Sequence, residues 1–182
     1  MRAPHRLLAL AVGAVSVAAA TVPETFTATA SATTDVASGS LPFSVTITRY
    51  ASADERETVM QAVRAGGTAL RTALARLDDA GFIQLGERRT SIKYAGERAI
   101  GSGRLVTVVA AEPILFLRGG VAAPPRPTGA EVTVAMLVVQ DAGDGLGELA
   151  PAATVGVDAH GALLIEDYGP TVIWLKGLVR EK

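Results

Sequence analysis

From Gly81 onward the chain is a succession of short apolar stretches separated by turn residues, and this texture restricts it to a sheet-rich fold. Phe82–Leu85, Thr90–Tyr94, Arg104–Ala111 and Ile114–Leu117 read as strands, the last two broken by Glu112-Pro113. Glu131–Gln140 is the longest. It puts Val132, Val134, Met136 and Val138 on one face and Ala135, Leu137 and Val139 on the other, which predicts burial of its second half on both sides. Ala153–Asp158, Ala162–Asp167 and Thr171–Leu178 complete the set, with Ala159-His160-Gly161 as a hairpin turn between the first two. Val121–Gly129 (VAAPPRPTG) is a proline-rich excursion unsuited to a central strand, and Asp141–Gly147 (DAGDGLG) is a turn.

Upstream, Phe43, Val45 and Ile47 alternate with Ser44, Thr46 and Thr48, the period of a half-buried strand that Tyr50 closes. Ser52-Ala53-Asp54-Glu55 is a capping box, and Val59, Met60 and Val63 then share a helix face. Gly66-Gly67 ends that helix, because two adjacent glycines cost roughly 2 kcal/mol relative to alanine in a helix interior. Thr68 is positioned to cap a second helix, striped by Leu70, Leu74 and Leu77, which stops at Asp78-Asp79 and Gly81. The expected fold is α+β: a mostly antiparallel sheet curled into a barrel or sandwich, with two short helices after the first strand.

The N-terminus reads differently. Arg2 and Arg6 precede the uncharged run Leu7–Ala20, which ends in Ala18-Ala19-Ala20, the layout of a cleaved signal peptide. The run is shorter than the ~20 residues needed to span a bilayer, and no later stretch reaches that length without charges, so no transmembrane anchor is expected. Cleavage after Ala20 is the simplest reading, with Ala30-Ser31-Ala32 offering a second cut after Ala32. Residues 21–40 (TVPETFTATASATTDVASGS) hold little to bury and read as a disordered leader. Residues 41–182 then form a single domain, and the expected destination is secreted or periplasmic.

Composition narrows the chemistry. Hydrophobic residues make up 49% but aromatics only 4%, so Val, Leu, Ile and Ala must fill the core. Loss of residues 1–20 removes two arginines and no carboxylate, leaving the remainder acidic and unsuited to nucleic acid. The absence of cysteine rules out disulfides, a lipid anchor, a thiol nucleophile, zinc thiolates and iron–sulfur clusters. His160 is the only histidine beyond the signal, so a typical zinc or copper site cannot be assembled within one chain, and no cofactor is expected.

Several motifs carry groups capable of chemistry. Asp141, Asp144 and Glu148 in a glycine-rich loop offer carboxylates to calcium, but the spacing fails the EF-hand pattern, no tandem glycine-aspartate repeat backs it, and a hairpin loop is the simpler reading. Ile100-Gly101-Ser102-Gly103 lacks the third glycine of a dinucleotide fingerprint and reads as a hairpin turn. His160 and Asp158 fall in a surface turn, away from a serine to activate. Glu166 and Asp167, adjacent on a strand, face opposite ways, and Glu112 stands alone at a strand end. Arg88, Arg89, Lys93, Arg98 and Arg104 form a basic stretch with Glu97 and one aromatic, Tyr94; a solvated face is its default and an anionic ligand its alternative. Trp174, with Val172, Ile173 and Leu175, belongs to the core or a sheet face, where a ligand-binding barrel would use it as a wall.

Taken together, FSVTITRY followed by SADERE, the helices ending in ALARLDDAGFI, the Tyr94 segment, AEPILF, and the tail from VAMLVVQDAGDGLGELAPAATVGVDAHG to ALLIEDYGPTVIWLKGLV resemble a family of exported bacterial proteins of unknown function. The resemblance runs from Phe43 to Val179 and implies export and one domain, with no substrate and no active residue. The expected function is a non-catalytic binding or envelope-associated protein with a small ligand or protein partner. The alternatives are a hydrolase or isomerase built from scattered Asp, Glu, Tyr and Arg, signalled by a pocket where Glu112, Tyr94 and an arginine converge, and an interaction module using the edge of Glu131–Gln140 or the proline-rich loop.

Overall fold

The computed structural model describes residues 22–33, 38–101, 103–114, 129–140, 144–159, 161–169 and 171–181. Its first element is a strand, β1 (Glu24–Thr33), within the segment expected to be a disordered leader. Thr25, Thr27, Thr29, Ser31 and Thr33 alternate there with Phe26, Ala28, Ala30 and Ala32, and Phe26, Ala30 and Ala32 are buried. Alanine adds little apolar signal to a Thr/Ser-rich stretch, yet it fits an interior shared with Phe43, Ile83 and Leu137. β1 is paired along its whole length with β2 (Ser38–Ile47) and on its other side with β10 (Ile173–Arg180), so pairing supplies the stability that composition does not.

Two helices follow the second strand rather than the first, because β1 precedes it. The capping box of α1 (Ala53–Ala65) forms as expected: Glu55 N–H donates to Ser52 Oγ at 3.2 Å, and Ser52 N–H donates to Glu55 Oε2 at 2.9 Å. Gly66 and Gly67 both adopt positive φ, which breaks the helix before α2 (Ala69–Leu74). Thr68 precedes α2 but makes no side-chain cap, since its own backbone is already helical and the turn bond from Ala69 N–H to Gly66 O opens the helix.

The remaining strands are β3 (Gly81–Leu85), β4 (Arg88–Ile92), β5 (Tyr94–Ile100), β6 (Gly103–Ala110), β7 (Val132–Gln140), β8 (Gly145–Val157) and β9 (Leu163–Asp167). All pairings are antiparallel, in the order β4-β3-β2-β1-β10-β8-β7-β6-β5, with β9 attached to β8 off this path. The sheet curls into a nearly closed barrel. The expected strand Thr90–Tyr94 is really a junction. β4 pairs with β3, β5 pairs with β6, and between them Lys93 N–H donates to Val109 O of β6 at 2.9 Å, so one bent run links the two ends of the sheet.

Other expected boundaries shift. β8 begins at Gly145, shortening the expected turn at Asp141–Gly147, whose residues 141–143 lie outside the described ones. Ile114 is buried but not in a strand, and 115–128, including most of the proline-rich stretch, lie outside the described residues. β7 pairs with β6 and β8, so the strand expected to offer a free edge has none.

Two cores result. Phe26, Phe43, Val45, Ile83, Leu137, Leu149 and Leu175 belong to the cluster inside the barrel. A second cluster lies on the outer wall, where Val59, Met60, Val63, Leu70 and Leu74 of the helices and Leu163 and Ile165 of β9 cover Val109, Val132, Val134 and Ala150. This cover reverses the expectation for β7: its first half is buried on both faces, while Met136 and Val138 of the second half stay partly open. Over β1 and β2 the outer wall is a hydroxyl face, Thr25 standing opposite Thr46 with their Oγ1 atoms 3.0 Å apart. No helix among the described residues is long and apolar enough to cross a membrane.

A chain beginning at Thr33 loses β1 and with it both neighbouring ladders. It is expected to show no cooperative urea transition by circular dichroism, whereas a chain beginning at Thr21 retains one. Cooperative folding of the shorter chain would contradict the central place of β1.

Candidate functional site

The basic stretch recognised in the sequence is split by the two-residue period of the strands. Glu97 and Arg104 are turned inward, Arg98 outward, and the two sets serve different ends. Inside one mouth of the barrel, Glu24 is buried with its side chain 0% exposed. Arg104 donates to both of its oxygens, Nη1 to Oε1 at 3.0 Å and Nη2 to Oε2 at 2.5 Å, and also to Glu97 Oε2 at 2.6 Å. Arg180 Nε reaches Glu24 Oε2 at 3.0 Å, and the Tyr50 hydroxyl donates to Glu24 Oε1. Arg104 also stands over the Phe26 ring at 5.6 Å. Burial disfavours the Arg104 cation, but its bonds to Glu24 and Glu97 outweigh that and hold the guanidinium above its ordinary range. Burial, then the bond to Glu24, pushes the Tyr50 phenol well up. These charges saturate one another, and the cluster ties β1, β5, β6, β10 and the segment after β2 together.

The outer wall carries exposed apolar side chains. Cross-strand pairing lines up Arg98, Leu105, Val138 and Leu146 in one row and Gly96, Thr107, Met136, Glu148 and Trp174 in the next. Trp174 is 54% exposed and Leu146 63%, and with Leu105, Met136 and Val138 they line an apolar groove of about 380 Å³. Trp174 is therefore a sheet-face residue and not core. At the groove's far rim Glu148 Oε1 accepts from the Tyr168 hydroxyl at 2.6 Å, and Lys176 makes no ion pair among the described residues. Burial and Glu148 push the Tyr168 phenol up to about 12.

Leu105 also lines a second cleft of about 290 Å³, with Arg56, Met60, Tyr94, Arg98 and Thr107. Tyr94 lies along β5 over Gly96, where an added Cβ would stand 2.6 Å from its hydroxyl, so a larger residue there would displace the ring. Burial raises the Tyr94 phenol and the neighbouring Arg56 offsets part of that. Arg56 pairs with no carboxylate among the described residues, and Arg98 reaches only Asp158 at 4.0 Å. The cleft thus joins a phenol to two guanidiniums. Glu112, expected to converge with Tyr94 in a catalytic pocket, is exposed and does not line it; its carbonyl accepts from Thr133 Oγ1 at 2.9 Å.

The other candidates are dispersed. Asp141 and His160 lie outside the described residues, as does Ser102. Asp144 is exposed ahead of β8, and Glu148 is turned to Tyr168; among the described residues no three metal-capable groups gather. Asp158 accepts from Ala162 N–H at 2.9 Å and shapes the β8–β9 hairpin. Glu166 and Asp167 are exposed on β9; Glu166 leans over Gly156 at the edge of a cleft of about 530 Å³ beside Arg64, and Asp167 accepts from Gly169 N–H at 2.9 Å. Lys93 pairs with Asp79 at 2.7 Å, and Arg89 stacks on Phe82 at 3.4 Å. Arg56, Leu105, Met136, Val138 and Leu146 have no local motif that marks them as a site, since one helix and three strands bring them together. No family model matches the chain, and neither does a curated protein or a solved structure.

Glu24→Gln is expected to destabilise the fold by about 3–5 kcal/mol, because Arg104 and Arg180 lose a buried counter-charge, as read from urea midpoints. Tyr50 holds its proton to higher pH when folded than unfolded. Stability is therefore full below about pH 10 and declines as pH rises beyond it, with Tyr168 adding to the slope. Tyr50→Phe should flatten that decline; an unchanged alkaline slope would show that Tyr50 does not carry it.

Proposed function

We propose that this chain is an exported, non-catalytic binding module that takes an apolar small-molecule guest on the outer wall of its barrel. The observation that carries this reading is the groove around Trp174, because Trp174, Leu146, Met136, Val138 and Leu105 together form a contiguous apolar surface of the kind that marks an interaction site. Its volume of about 380 Å³ is in the range of small-ligand sites, and its few polar groups stand at the rim. The barrel interior is filled with side chains, which favours a wall site over a cup. The catalytic alternative is weakened by the surroundings of Tyr94, which include two arginines but not Glu112, while the carboxylate of Glu97 is engaged by Arg104.

Export rests on Arg2, Arg6 and the run Leu7–Ala20. Of the two cuts, the one after Ala20 is favoured, since it spares β1, whereas a cut after Ala32 removes Glu24, Phe26 and Ala30 from the barrel. Intact mass of the exported protein is expected to correspond to a chain starting at Thr21; retention of Met1, or a start at Thr33, would overturn this part of the reading.

Trp174 is the only tryptophan, so its emission reports directly on the groove. Titration with an uncharged apolar probe such as dodecanol is expected to shift the emission to the blue and to saturate. Leu146→Glu, at an exposed position, should abolish the response without changing the urea midpoint. Emission unmoved by any apolar probe would rule out the groove as a binding site.

A further inference from the structure

The groove does not end at Leu105. That side chain is shared with the cleft of Arg56, Arg98 and Tyr94, so the two depressions are contiguous, one apolar and one cationic. The strand register shows how they join. Arg98 stands opposite Leu105, Leu105 opposite Val138, and Val138 opposite Leu146, so one row crosses from a guanidinium directly onto apolar side chains. From β5 to β10 there are four inter-strand steps, about 19 Å at the usual spacing of sheet neighbours. A ligand lying across the strands therefore meets positive charge at one end and an apolar bed along the rest.

We propose that the guest is a free, single-chain anionic amphiphile of the fatty-acid class, its carboxylate between Arg56 and Arg98 beside the Tyr94 hydroxyl and its acyl chain laid over Leu105, Val138 and Met136 towards Trp174. This rests on the reading of the groove as a binding site and adds the head group and the direction. The chemistry of the cationic cleft is specific to an anion. Arg56 has no carboxylate partner among the described residues, and Arg98 has only Asp158 at 4.0 Å, a long contact that leaves its donors available. Glu97, which also borders the cleft, has its carboxylate engaged by Arg104 and does not compete. At the opposite end Glu148, bonded to Tyr168, and Lys176 both border the groove, so that rim is balanced in charge whereas the Arg56 and Arg98 end is cationic, and this difference sets the polarity of the ligand. Arg56 is on α1 while Arg98 is on β5, so the head group would bridge the helical layer and the barrel wall.

The test uses Trp174 emission with laurate and with dodecanol, which share a tail and differ in the head. Laurate is expected to bind the unaltered protein roughly tenfold to a hundredfold more tightly than dodecanol, the range for hydrogen bonds to a charged group. Carboxylates of increasing chain length should tighten about threefold to fourfold per methylene until the groove is filled. In Arg56→Ala/Arg98→Ala, laurate should fall to the level of dodecanol while dodecanol is unaffected. Equal binding of the two probes by the unaltered protein, or a double variant that still prefers laurate, would overturn the head-group assignment and leave the groove reading standing. Failure of both probes to move the emission would defeat the groove reading itself. Binding to phosphatidylglycerol vesicles with no response to free laurate would also overturn the proposal, because the ligand would then be a membrane surface.

Discussion

Glu24 is a carboxylate taken wholly out of water, and the arrangement of the barrel follows from what surrounds it. Two arginines and a tyrosine hydroxyl converge on it, and Arg104 extends the cluster to Glu97. Removing charges from water is costly, and attraction between the partners offsets that cost only when the geometry is complete. The consequence is specificity of register. A slip of β1 by one residue would turn Glu24 and Phe26 to the outside, put threonines in the apolar interior and leave Arg104 without Glu24, so only one alignment of β1 between β2 and β10 satisfies both charge and packing. The β4–β5 bend at Lys93 then joins the two ends of the sheet on the far side.

A barrel held in this way has an outer wall whose character varies around its circumference. Over β1 and β2 it presents threonines and serines to water. Over the upper part of β6, β7 and β8 it is apolar and covered by the helices and β9. Below that cover the same apolar rows continue through Met136, Val138, Leu146 and Trp174 with solvent above them. The proposed site is this uncovered remainder, and its cationic end exists because α1 brings Arg56 to the edge of β5. Apolar outward positions thus have two fates set by tertiary cover: beneath the helices they are core, and beyond them they stay exposed and line a groove.

Much of this was legible in the residues. The capping box at Ser52, the stop at Gly66-Gly67 and the alternation around Phe43 concern neighbours in sequence, and local sterics and hydrogen bonding decide them. The class of fold followed from the run of short strands. β1 was missed because its inward residues are mostly alanines, whose burial depends on partners as distant as Lys176 and Leu41. Tyr94, Arg98 and Trp174 each stood out individually, yet nothing in their spacing indicated that they border one continuous surface. Glu24 lay within a stretch that composition marked as unstructured.

By itself the sequence determined where α1 starts and stops, that strands dominate, that thiol chemistry is closed to the chain, and that its first residues have the form of an export signal. Those properties depend on residue type and on separations of a few positions. Only the tertiary structure decided which outward faces are covered, that Arg104 turns inward while Arg98 turns outward onto a groove, and that a Thr/Ser/Ala stretch is a central strand. The physical reason is that burial and ion pairing depend on distance in space, and strand pairing brings Glu24 to Arg104 and Leu105 to Val138 across separations no local pattern encodes.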